Sequence, residues 1–171
     1  FFDGFRTSHE IQKVELFEND DYAKLLNFDA VKEFRDSALS PNKPITKGTA
    51  QNPDIYFQTR EASNKYYDNI VGIVEKYMNK MSEMTGRKHG LFDYYGAEDA
   101  KYVMVAMGSV TEAAEELIDV LNARGGKYGI VKVHLYRPFS KKHFLDAMPS
   151  TVERVVVLDR TKEPGANGEP L

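Results

Sequence analysis

The chain has no cysteine and no tryptophan among its 171 residues. Without cysteine it can form no disulfide, offer no thiolate nucleophile and ligate no iron–sulfur cluster. Metal-ligand spacing is missing too, since His9, His89, His134 and His143 never fall into an H-x-x-x-H arrangement. No apolar run approaches the roughly 18 residues of a membrane span, and no signal-peptide pattern is visible. Basic blocks are absent: 23 basic and 26 acidic residues are spread along the chain for a net charge of −3. That balance argues against a nucleic-acid surface. The expectation is a soluble, intracellular protein with no metal site.

What is present points to an ordinary packed domain. A chain of this length buries about two-thirds of its unfolded surface, enough for a core without staples. Ten Phe and ten Tyr residues give that core aromatic bulk.

The N-terminal third has no single period. Phe1 to Phe5 read as a strand end, followed by a short mixed stretch from Ile11 to Phe17. Asp20 to Leu26 and Asp29 to Leu39 read as two short helices, each begun by an Asp able to cap free N–H groups. The stretch "SPNKPITKGTAQNPDIYFQTREASN" has three Pro and no clean period, so a long ordered traverse or linker is expected.

Ala62 to Met84 is the clearest helix. Tyr66, Ile70, Ile73, Val74, Tyr77, Met81 and Met84 recur at three- and four-residue steps, and Gly86 ends the pattern. The Met and Tyr stripe could suggest a ligand groove. Helix packing is the simpler reading, because flexible Met fills irregular gaps.

From Lys101 onward strands and helices alternate. "YVMVAM" is a continuous apolar run, as expected of a central strand covered on both faces. Ser109 with Glu112 reads as a capping box opening an amphipathic helix on Val110, Ala113, Ala114, Leu117, Ile118 and Leu121, closed by Gly125 and Gly126. "YGIVKVHLY" alternates Val131, Val133 and Leu135 with Lys132 and His134, which suggests a partly polar face or a place near an edge. Ser140 would cap the next helix, with Phe139 and Phe144 as a hydrophobic staple, and "RVVVLD" is the third strand. Two strand–helix–strand units in succession imply an α/β fold with an open, mostly parallel sheet and right-handed crossovers.

Two stretches have reactive residue types. "GSVTEAAEEL" feeds a Gly turn into a helix N-terminus, as a phosphate loop does. G-x-G-x-x-G and G-K-[ST] are both missing, however, and Glu112, Glu115 and Glu116 would repel a phosphate. Capping accounts for these residues. Arg6, Thr7, Ser8, His9 and Glu10 contain groups used in acid–base or acyl chemistry, yet no G-x-S-x-G elbow or acidic partner can be assigned. A structural or interface loop is the expectation there. His134 reads as a partly exposed or satisfied strand residue and His143 as a solvent-side helix residue.

Three long strings carry a resemblance: "FFDGFRTSHEIQKVE", "KGTAQNPDIYFQTREASNKYYD" and "HLYRPFSKKHF…VVVLDRTKEPGANGEPL". Together they resemble the pyruvate:ferredoxin (flavodoxin) oxidoreductases over essentially the whole chain. "LYRPF" and "LDRTKEPGA" are the most telling.

The resemblance implies a much longer parent enzyme. It would decarboxylate pyruvate on thiamine diphosphate with Mg²⁺, pass electrons through 4Fe–4S clusters to ferredoxin or flavodoxin, and acetylate coenzyme A. It implies that residues 1–60 end the first, thiamine-contacting domain and that residues 61–171 form a second, transketolase C-terminal-like α/β domain. The remaining domains would be this segment's partners, in a homodimer that binds no nucleic acid and no membrane. Its expected compartment is the cytoplasm, or an anaerobic energy organelle in a eukaryote. No catalytic, cofactor-binding or metal residue carries over, so the segment alone is expected to bind no cofactor. Arg6, Thr7 and His9 remain candidates for an interface or for the surroundings of the active site, on an edge exposed by the absence of upstream sequence. The competing reading is an autonomous α/β binding or interaction module, holding coenzyme A or a partner subunit.

Overall fold

The computed structural model describes residues 7–11, 13–45, 48, 50–162, 164–168 and 170–171. The expected strand end at Phe1 to Phe5 lies outside them. The chain divides into two compact units. One is Gln12–Asp68; the other is Asn69–Leu171 together with Phe1–Ile11.

Gln12–Asp68 is helical and irregular. Its helices are α1 (Asn19–Leu25), α2 (Phe28–Asp36) and α3 (Pro53–Ala62). The expected Asp caps are corrected, because each helix begins earlier. The N-cap of α1 is Glu18, whose N–H donates to Asp21 Oδ2 at 3.3 Å. The N-cap of α2 is Asn27, whose Oδ1 accepts from Ala30 N–H at 3.1 Å. Those carboxylates act inside the first turn, where the helix dipole favours negative charge. The expected linker is corrected too, since α3 lies inside it. Pro53 opens that helix, where its missing N–H leaves no intrahelical bond unmade. None of the described residues of this unit is buried.

The second unit contains the sheet. α4 (Asn64–Thr85) runs into it from the first unit and ends at Gly86, whose φ of +70° few other residues adopt readily. Four strands follow: β1 (Phe92–Gly96), β2 (Tyr102–Ala106), β3 (Tyr128–Val133) and β4 (Arg154–Val157). Between them lie α5 (Val110–Ala123) and α6 (Lys141–Asp146). The strand order is β1-β3-β2-β4, with β2, β3 and β4 parallel and β1 antiparallel to β3. The sheet is therefore open and mostly parallel with flanking helices, the α/β class read from the alternating pattern. β1 was missed by that reading.

One position differs from the sequence reading of β3. Its Lys132 and His134 suggested a partly polar face or a place near an edge; the polar face is present, but β3 lies between β1 and β2 with Ile130, Val131 and Val133 fully buried. Lys132, partly exposed, has the opposite charge of Glu115 on α5 beside it at 2.6 Å.

Each face of the sheet has its own core. Val103 and Val105 of β2 pack with Phe92, Val131, Val133 and Leu135, against which Ile70, Val71, Val74 and Met78 of α4 and Phe144 of α6 close. Ala106 and Ile130 pack on the opposite face with Ala114 and Ile118 of α5. The stripe read along α4 is thus correct at Ile70 and Val74, but Tyr66 and Ile73 are exposed, and Val71 and Met78 take part instead.

The caps of the later helices split. Phe139 and Phe144 meet with ring centroids 5.4 Å apart, the expected staple, and Ser140 is the N-cap residue but makes no side-chain cap bond. The capping box at Ser109 is corrected: Ser109 has helical φ and ψ and makes no side-chain cap bond. The first turn of α5 is closed by Thr111, whose N–H and Oγ1 both donate to Gly108 O at 3.2 and 2.9 Å. Gly108 has a φ of +84°, which aims that carbonyl into the turn.

Candidate functional site

The best-formed cavity of the sheet unit is a cleft of ≈ 690 Å³ bounded by the second half of α4, the turn from Gly86 to Leu91, the start of β1, and α6. It exists because the continuous run from α4 through the turn into β1 meets α6, distant in sequence, at one edge of the sheet. Met78, Leu91, Phe92 and Ala147 give it an apolar floor, and Glu75, Asn79, Ser82, His89, His143 and Asp146 a polar wall.

Asp93 is the buried acid of this region, 7% exposed. Its Oδ2 accepts from Gly90 N–H at 3.1 Å and lies 3.3 Å from His134 Nδ1. His134 Nδ1 also lies 2.8 Å from Gly90 O, so the ring and the carboxylate grip both polar groups of one peptide turn. A Cβ at Gly90 would come within 2.6 Å of Asp93 Oδ1, which explains the glycine. Oδ1 has no hydrogen-bond partner among the described residues, and it has almost no accessible surface. The arrangement locks a turn. Asp93 borders the cleft, with its carboxylate engaged by Gly90 and His134.

A second polar chain runs from α6 to α4. Ser140 Oγ lies 2.6 Å from His143 Nδ1, and His143 Nε2 lies 3.6 Å from Glu75 Oε1. These are the residue types of a hydrolytic triad, but Ser140 is the N-cap residue of a six-residue helix. The set ties α6 to α4. His143 is accordingly half-buried, a correction to its expected solvent-side place, whereas His134 is exposed and satisfied as read.

Shifted proton affinities belong to structural pairs, among them Lys142, raised by its hydrogen bond to Asp146 at the cleft. Burial, with the nearby Asp99 charge, raises the Tyr94 phenol above its usual range. Its hydroxyl donates to Ala97 O. The Tyr95 phenol is raised by its hydrogen bond to Asp119 on α5. Lys127 lowers the Asp99 carboxyl, and Glu153 raises Lys101. Of these groups only Tyr94 lines the cleft, and its hydroxyl is taken up by Ala97 O.

The N-terminal candidates are placed as follows. Thr7 to His9 form a single 3-10 turn, with Ser8 Oγ 2.8 Å from His9 Nδ1, and both Ser8 and His9 are exposed. Arg6 lies outside the described residues. Among the described residues no three His, Asp or Glu side chains converge as ligands of a metal ion would. The carboxylates of the cleft are also dispersed: Glu75 faces His143 and Asp146 pairs with Lys142. This donor set does not fit a metal-bridged diphosphate, so no residue described here is assigned to thiamine diphosphate. No described helix is long and apolar enough to cross a membrane.

The cleft and the Asp93 lock were missed in the sequence. Local signal for them is slight, because Glu75, Asp93, His134 and His143 come together only through the tertiary fold. Gly90 three residues before Asp93 was the one local cue.

Comparisons with known proteins settle the relationship. A family model described as pyruvate flavodoxin/ferredoxin oxidoreductase, thiamine diphosphate-binding, matches residues 1–79. A second, described as pyruvate:ferredoxin oxidoreductase core domain II, matches residues 100–171. A pyruvate-flavodoxin oxidoreductase of Enterobacter agglomerans is 60% identical over all 171 residues, and one of Klebsiella pneumoniae 57%. A pyruvate:ferredoxin oxidoreductase of Moorella thermoacetica is 56% identical over the same length. The chain spans 15% of the length of each of these relatives. It belongs to the pyruvate:flavodoxin/ferredoxin oxidoreductase family and corresponds to one segment of those longer enzymes.

Proposed function

We propose that the protein carrying this segment oxidatively decarboxylates pyruvate to acetyl-coenzyme A and CO₂, with reduction of ferredoxin or flavodoxin. The observation that supports this most is identity of 56–60% over every residue of the chain to relatives so named. The parent holds thiamine diphosphate, Mg²⁺ and 4Fe–4S clusters, works as a cytoplasmic homodimer, and takes its cluster thiolates from sequence other than this cysteine-free stretch.

Within that enzyme the segment is structural and forms interfaces. Residues 1–60 belong to the first domain and residues 61–171 form the second. A change of compact unit within α4, after Asp68, supports a boundary near there. Arg6, Thr7 and His9 lie at a domain interface or beside the active-site region; exposed Ser8 and His9 in a polar turn support that role.

The test compares the full-length protein with the 171-residue chain. The former should reduce ferredoxin or flavodoxin with pyruvate and coenzyme A; the latter should be colourless, inactive and without tight thiamine diphosphate binding in calorimetric titration with Mg²⁺. Stoichiometric binding at micromolar affinity by the short chain would overturn the non-catalytic role. A full-length protein inert toward pyruvate and other 2-oxoacids would overturn the activity.

A further inference from the structure

α5 has two apolar stripes, and the fold uses only one. Ala114 and Ile118 are buried against β3 and β1. Val110, Ala113, Leu117 and Val120 remain exposed, with Leu117 at 51% and Val120 at 48%. Their steps of three, four and three residues are those of a helix–helix seam. At 100° per residue they share an arc of about 80°, beside the buried stripe. Scattered exposed apolar residues need no explanation, but a contiguous row with this period does. Ala113 in the middle lets another helix approach closely.

The rim of this seam is charged on one side only. α5 has four acidic residues and no basic one. Glu115 pairs with Lys132, and Asp119 accepts from the Tyr95 hydroxyl. Glu112 and Glu116 border the seam and form no ion pair among the described residues. A surface with an apolar stripe and an unneutralised acidic border complements a helix with an apolar stripe and Lys or Arg along its edge.

We infer that the outer face of α5 is a docking surface for an amphipathic, basic-rimmed α-helix from another part of the same long polypeptide. The inference rests on the reading of this chain as a segment of a longer oxidoreductase. The space for such a helix is ample, since the matched relatives have 85% of their length outside this stretch.

The test uses the purified full-length protein. Hydroxyl-radical footprinting should oxidise Leu117 and Val120 several-fold more slowly in the native than in the denatured protein. A zero-length carbodiimide cross-linker should join Glu112 or Glu116 to a lysine outside residues 1–171, in a stretch with apolar residues three and four apart. Native Leu117 reacting at the denatured rate would overturn the proposal. So would cross-links running only to a second polypeptide, identified by mixing isotopically light and heavy protein. A natural product with an intact mass of 19.4 kDa would instead remove the segment reading on which the proposal stands.

Discussion

The sheet unit, with all of the chain's Met and most of its Val and Ile, and the helical unit fold by different means. From Asn69 onward, Val103, Val105, Ala106, Ile130, Val131 and Val133 lie in dry interior, each at most 3% exposed. Between Gln12 and Asp68 apolar residues are sparser, and Leu16, Phe28, Phe34, Ile55, Tyr56 and Phe57 are all exposed. Helices of seven to ten residues are marginal in water unless an apolar face is packed. Their local signals are in order, with caps at Glu18 and Asn27 and Pro53 at a helix start. What they lack is burial. Secondary structure here is encoded locally, whereas stability is supplied by whatever covers it.

Substitutions should separate the two units sharply. Val105→Asp places a carboxylate without a partner inside the sheet, and it should prevent folding or cost several kcal/mol. A soluble variant with an unchanged denaturation midpoint would break the comparison at its stronger side. Gly96→Ala should cost about 1–3 kcal/mol. Gly96 has a φ of +128°, and an added Cβ would meet Tyr128 O at 2.5 Å. A wild-type midpoint would mean that β1 is not held to β3 in this register.

At the small end are two changes expected to stay within about 0.5 kcal/mol. Phe34→Asp alters a side chain 80% exposed in the helical unit. Ser109→Ala removes a hydroxyl that makes no cap bond, because Thr111 and Gly108 close that turn. A loss near 1 kcal/mol for Ser109→Ala would restore the capping box read from its spacing with Glu112.

How legible the fold was depended on range. β2, α5, β3 and β4 follow from apolar runs and three- or four-residue steps, so their existence and parallel sense were readable, though not their order across the sheet. β1 was passed over: its stretch "FDYYG" is short, carries the buried Asp93 and pairs only with distant β3. α3 was hidden because Pro53 reads as a breaker when it is in fact a helix start. The capping errors at Asp20, Asp29 and Ser109 have one cause. Several cap-capable residues stand near each helix start, and backbone geometry chooses among them. The cleft was the least legible feature, since α6 meets α4 and the Gly86–Leu91 turn only in the folded unit.

The most direct test of the account is residue-resolved hydrogen exchange on the 171-residue chain. It predicts slow exchange in Val103–Ala106 and Ile130–Val133, and near-unprotected amides throughout α1, α2 and α3. Equal protection across both regions would contradict it, because the helical unit would then be stable without a covering partner.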